Sequence, residues 1–240
     1  MHERGQIYLS SFICERNLNE KNILSIIKIL LVIFLFFLSG CATDGQKHRL
    51  KIGIIDSSIS EDVTDRYKIQ EKNSLLKENT QNDISHGEIT LEIISNQVPT
   101  ADIYYVEVLS ESLKGDIENV VKGIEWCIEK KVDMICMSFA TIKDDEELKN
   151  VVQRAIEAGI DVVAATVNYS DVACYPAMYD GVISVSVGFN KNATLIFENV
   201  PLKVKAGNKK LELKGTSVYT AYACGKIAKE NLNIKWVLQA

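Results

Sequence analysis

Proline is scarce in this chain, with 3 in 240 residues, and glycine numbers only 13. That scarcity excludes a collagen-like rod or a Pro/Gly-rich linker and leaves most of the chain for helices and strands. Positive charge is not in excess either: 27 Lys and Arg against 32 Asp and Glu give a net charge of −5. No global attraction to phosphate follows, and no nucleic-acid partner is expected. Histidine occurs three times, and no two cysteines form a CxxC pair or stand at metal-ligand spacing from a histidine, which argues against a zinc site. What is present is ordinary for a folded chain, with 47% hydrophobic and 25% charged residues. The length suits one globular domain with an appendage.

The appendage is at the start. Ile29 to Leu38 reads ILLVIFLFFL, with Lys21 and Lys28 ahead of it. This is the pattern of a signal-peptide core, too short for an ordinary spanning helix of about 20 residues. A retained membrane helix is the alternative, if Ile23 to Ile27 extend the run. Leu38-Ser39-Gly40-Cys41 resembles the bacterial lipobox, which implies lipidation of Cys41 and cleavage just before it. Residues 1–40 are therefore set aside as a lipoprotein signal peptide, 41–49 as a tether and 50–240 as the folded domain. The expected location is the bacterial cell membrane, lipid-anchored on its extracytoplasmic side.

Beyond the tether, short β-branched runs alternate with longer segments of helical period, the pattern of a parallel sheet with crossover helices. Predicted strands are Leu50–Ile55, Ile103–Leu109, Asp133–Ser138, Asp161–Thr166 and Val182–Val187; predicted helices are His86–Ser95, Asp116–Lys130, Asp145–Ala158 and Ser217–Glu230. Leu202 to Leu213 reads as a hairpin turning at Gly207-Asn208. Cys127, Cys136 and Cys224 lie inside apolar patterns, and all four cysteines after Cys41, Cys174 included, are expected as free buried thiols. The fold class is α/β: three layers, a mostly parallel sheet with helices on both faces.

In open α/β sheets reactive groups collect at the carboxyl ends of strands. Asp56 follows the first strand directly, where a carboxylate either caps a turn or orients an imidazole. Of the three histidines, His2 lies in the signal region and His48 in the tether, so only His86 can serve the domain. It opens a helix, followed by Gly87, where the backbone or a substrate can approach closely. Ser217, in Gly215-Thr216-Ser217 before another helix, is either an N-cap or a hydroxyl placed at an anion-favouring helix end.

Taken together, KIGIIDSS around Asp56, SHGEITLEII around His86 and GTSVYTAYACGKIA around Ser217 resemble the three catalytic motifs of the subtilase family, in the family's order. GIEWCIEKKVDMICMSFA, AGIDVVAATVN and YPAMYDGVISVSV resemble the intervening segments, so the resemblance runs from about Lys51 to Lys229. It implies a subtilisin-like fold and a serine endopeptidase with Ser217 as nucleophile, His86 as general base and then acid, and Asp56 orienting the imidazole. Asn168, with the backbone N–H of Ser217, would bind the oxyanion. Ser138, Phe139 and Ala140 would line an extended substrate, and Ala164, Ala165 and Thr166 its side-chain pocket. The implied partner is a peptide or protein substrate; membrane contact comes through the Cys41 lipid alone, the chain is expected to be a monomer, and no cofactor or metal is expected, because acidic oxygen-ligand clusters are missing from the loops that hold calcium in relatives.

The chain departs from the family pattern at Ser58, Ala140 and Val167, where glycine is usual, and at Ala221, where proline is usual. The first three add side chains near substrate or oxyanion. A second reading therefore accompanies the membrane-anchored processing protease: a catalytically impaired relative that binds or sequesters a peptide or partner.

Overall fold

The computed structural model describes residues 49–67, 69–76, 84–168, 170–188, 192–206 and 209–239, with side chains described as far as Asn231. Cys41 and the hairpin turn at 207–208 lie outside these residues.

Seven strands form one parallel sheet: β1 (Lys51–Ser57), β2 (Ile69–Ser74), β3 (Asp102–Leu109), β4 (Met134–Met137), β5 (Asp161–Ala165), β6 (Ile183–Val187) and β7 (Leu195–Phe197), in the spatial order β2-β3-β1-β4-β5-β6-β7. The chain leaves β1 for the edge at β2, returns through β3, then crosses β1 to build outward from β4. Strand order reverses at β1, so the crevice of this doubly wound sheet opens at the carboxyl ends of β1 and β4.

Alternation along β1 sets the layers. Ile52 and Ile54 are fully buried in one apolar cluster, with Leu91 and Ile94 of α2 (His86–Gln97) and Ala221, Cys224 and Ala228 of α5 (Thr216–Gln239). Ile55 points into a second cluster, with Ile124 of α3 (Ile117–Glu129) and Val151, Val152 and Ala155 of α4 (Glu146–Glu157). Two strictly buried faces on one strand are what a near-continuous run such as KIGII requires. The small residues on α5 let it lie close to α2: a Cβ on Gly225 would stand 2.4 Å from Gln97 Nε2, which instead donates to the Tyr222 carbonyl at 3.1 Å. Ser85 caps α2 by accepting from Glu88 N at 3.1 Å, and Asp145 caps α4 through Glu147 N and Leu148 N.

All five predicted strands, all four predicted helices and the hairpin are present, the last as β8 (Leu202–Ala206) and β9 (Lys209–Leu213). Cys127, Cys136, Cys174 and Cys224 are free and buried. Three elements were not anticipated: α1 (Glu61–Arg66), the edge strand β2 and the three-residue β7. α1 is too short to show a helical period. β2 reads IQEKNS and is solvated along much of its length, so it carries no apolar signal; its backbone is ordered by pairing with β3.

Candidate active site

At the end of β1 the Asp56 carboxylate is wholly buried, and every oxygen of it is engaged. Oδ1 accepts from Ser57 N at 2.7 Å and lies 2.7 Å from His86 Nδ1; Oδ2 accepts from the Thr90 hydroxyl at 3.0 Å. Thr90 stands one turn after His86 on α2, so a single helix face presents both groups to the carboxylate. A buried carboxylate needs such donors to offset its lost hydration.

Ser57 ties the two elements together. Its Oγ accepts from Gly87 N at 2.9 Å and its carbonyl accepts from the Tyr105 hydroxyl at 2.7 Å. Gly87 has no room for a side chain: a Cβ there would stand 1.9 Å from Tyr105 Oη and 2.5 Å from the Ser57 carbonyl. Burial, together with the charges of Asp56, Glu107 and Glu88, pushes the Tyr105 hydroxyl well above its ordinary range, which keeps it protonated as a donor. Glu107, also wholly buried, accepts from Ile59 N at 3.0 Å and so pins the chain just after Asp56.

Burial works against the charged imidazole of His86, but the charge of Asp56 and its hydrogen bond outweigh burial, and the pKa is raised above 6.5. In the neutral ring, Nδ1–H donates to Asp56 and Nε2 is left with its lone pair, a tautomer assigned from the hydrogen-bond network. The pair is thereby equipped to accept a proton at Nε2 and to hold the resulting cation.

Ser217 is the second residue of α5 and partly buried, and its hydroxyl makes no hydrogen bond to another described side chain or backbone group. Its helix start is fixed by Asn168, in the turn after β5, whose Oδ1 accepts from Thr216 N at 2.7 Å. With Oδ1 so committed, Nδ2 is the remaining, donating arm of this exposed side chain. Gly215 stands at φ +118°, a left-handed conformation that favours glycine, and a Cβ there would meet Asn168 Oδ1 at an ordinary contact distance of 3.4 Å.

Of the residues expected to meet substrate, Phe139 and Ala140 line a cavity of about 250 Å³ together with Leu109, Leu113, Leu148 and Tyr175. Ser138, Ala164, Ala165 and Thr166 are at least nine-tenths buried at the ends of β4 and β5; Ala164 belongs to the core beneath α3 and α4, and the four do not line this cavity. Thr90, Ser57, Tyr105 and Glu107 were not anticipated. For Thr90 a signal existed, its spacing of four from His86; for Tyr105 and Glu107 only the β1–β3 register places them beside Asp56.

A carboxylate–imidazole pair at the carboxyl edge of a parallel sheet has the chemistry to accept and return a proton. Residues 47–199 match the model of the subtilase family, and the chain belongs to that family. The matched segment contains Asp56, His86 and Asn168 and ends before Ser217. Among similar proteins, Subtilisin DY of Bacillus licheniformis is 32% identical over 190 residues, covering 72% of this chain and 67% of that protein. Minor extracellular protease Epr of Bacillus subtilis (strain 168) is 29% identical over 191 residues, 73% of this chain but only 29% of Epr. The Major intracellular serine protease of the same organism is 34% identical over 154 residues, 56% of this chain and 48% of that protein. The chain thus spans between under a third and two thirds of these relatives.

Proposed function

We propose that the chain is a serine endopeptidase acting through Asp56, His86 and Ser217 with an acyl-enzyme intermediate. The observation that carries this reading is the 2.7 Å contact between the buried Asp56 carboxylate and His86 Nδ1. A serine hydroxyl is a weak nucleophile until a base takes its proton. His86 Nε2 is that base; it returns the proton to the leaving amine, while Asp56 holds the tautomer and compensates the transient cation. Asn168 Nδ2 and the Ser217 N–H at the start of α5 donate to the oxyanion, where preorganised dipoles lower the barrier most. The names of the relatives, proteases and subtilisins, agree with this chemistry.

One observation favours the second reading, a peptide-binding protein without turnover: Ser217 and His86 share no hydrogen bond among the described residues. In unliganded sites such bonds are often long and tighten only with substrate, so reactivity decides. Fluorophosphonate treatment of the full chain, read by intact mass, should add one adduct to the wild type and none to Ser217→Ala or His86→Ala. A folded wild type that stays unlabelled would transfer the assignment to the binding protein.

The anchoring belongs to the same proposal: lipidation at Cys41, supported by the lipobox-like Leu38-Ser39-Gly40-Cys41, would hold a processing protease at the outer face of the cell membrane. Metabolic palmitate labelling should be lost in Cys41→Ala; equal labelling of both chains would exclude the anchor.

A further inference from the structure

The segment 202–214 reads LKVKAGNKKLELK, five lysines against one glutamate in a chain whose net charge is −5. Its two strands are amphipathic. Val204 and Ala206 are buried, with Leu202 and Leu213 packed against the same core, while Lys203, Lys205, Lys210 and Glu212 are exposed. The antiparallel register sets Lys203 opposite Glu212, at 3.8 Å between charged atoms, but sets Lys205 directly opposite Lys210. Among the described residues neither Lys205 nor Lys210 forms an ion pair.

Like charges directly opposite one another weaken an antiparallel pair. A two-stranded ribbon has little stability to spare, and a glutamate at either position would serve the fold better. Places where a local rule is broken without a structural return are characteristically functional. The ribbon also lies next to the elements that carry the candidate site. β9 leads through Lys214 into Gly215, which lies against Asn168, and then into Ser217. Near the other end, Ala206, on the buried face, borders a cavity of about 140 Å³ with Ser60, Asp62, Val63, Glu88 and Glu92, from the segments that follow Asp56 and His86. The ribbon therefore packs on α2 and leads into α5, the two helices that carry His86 and Ser217.

From this juxtaposition we infer that the ribbon captures an acidic stretch of the substrate polypeptide beside the scissile bond. This rests on the proposed peptidase reading and names its substrate class. The exposed cations attract carboxylates over roughly the 8 Å screening length of physiological salt, and an acidic strand laid along the ribbon would relieve the Lys205–Lys210 repulsion. An anionic lipid surface is the less suitable partner. Arg49, where the tether joins the domain, is bound to Asp102 and to the Thr100 carbonyl, at the amino edge of the sheet and opposite the site.

The test uses the full chain as Ser217→Ala, so that binding is read without turnover, and two fluorescein-labelled peptides differing only in a run of glutamates or of glutamines. Anisotropy should show the glutamate peptide binding about tenfold tighter at low salt, a gap that narrows as salt rises. The gap should disappear when Lys205→Glu and Lys210→Glu are combined. Lys205→Glu alone places opposite charges across the ribbon, so it should fold at least as well as the parent while losing much of the preference; that controls for misfolding. Equal affinity for the two peptides would overturn the inference, as would a preference untouched by the lysine changes. Lysine-dependent binding to phosphatidylglycerol vesicles without any peptide preference would overturn it in favour of a membrane surface. Fluorophosphonate labelling of the wild type separates the two levels. Labelling without a glutamate preference defeats this inference alone, whereas a preference without labelling upholds acidic-peptide capture and defeats the peptidase.

Discussion

Thr90→Val is the perturbation that most directly probes how Asp56 is held. The two side chains have nearly the same volume, Thr90 is buried, and the substitution removes the only donor that Asp56 Oδ2 has among the described residues. A hydrogen bond to a charged group contributes about 1.5–3 kcal/mol, so the variant should unfold at lower denaturant, by that amount and with an unchanged m-value. Part of the loss must appear at His86. With fewer donors on the carboxylate, its charge is compensated more by the imidazolium, which raises the already raised pKa of His86 further. His86 should therefore titrate at a higher pH in the variant than in the wild type. NMR titration of the imidazole reads this without any need for turnover; the chain has three histidines, and a His86→Gln sample assigns the resonance. Thr90→Ser keeps the hydroxyl and should restore most of both quantities. If Thr90→Val leaves stability and the His86 titration unchanged, the hydroxyl does not support the carboxylate and the account of the buried pair is wrong.

Asn168→Ala should lower kcat by about 10²–10³ with a small change in KM, the range established for a side-chain oxyanion donor in a subtilisin itself; comparable loss in KM alone would remove Asn168 from the oxyanion site. If Ser217 gives its proton to neutral His86 as proposed, kcat/KM should rise with pH through a value above the ordinary 6.5. The pair's contribution to stability runs the other way. It is complete below 6.5 and fades as pH climbs through the raised value, so a stability difference between wild type and His86→Gln that grows above that value would contradict it. Gly87→Ala should abolish fluorophosphonate labelling and destabilise the fold by about 1–3 kcal/mol, since its Cβ meets Tyr105 and the Ser57 carbonyl at contact-breaking distance; normal labelling would show that the β1–α2 junction can yield.

Much of the fold was legible because strands such as KIGII and DVVAA are buried on both faces and read as unbroken apolar runs, while α3 and α4 keep a helical period. β2 and β7 are not legible because backbone pairing orders them, and IQEKNS has no pattern a single strand could reveal. In the site, Asp56, His86, Asn168 and Ser217 announce themselves through local motifs. Their supports do not. Tyr105 and Glu107 act through the register of β3 against β1, a relation between segments about fifty residues apart, and neither residue type is unusual within IYYVEVL. Thr90 lies between these cases, readable once His86 is granted a role and α2 a face.

The bond from Thr216 N to Asn168 spans 48 residues, whereas the Asp56–His86 contact spans only 30 and its supports extend no further along the chain than β3. Assembly is thus staged along the chain. During vectorial synthesis the base and its carboxylate can meet early, but the serine arrives on the last described helix, and its position depends on a turn laid down well before. If the proposed mechanism holds, a nascent chain stays without its nucleophile until α5 docks against α2 and β5, so the architecture itself would delay reactivity until the molecule around the site has been built.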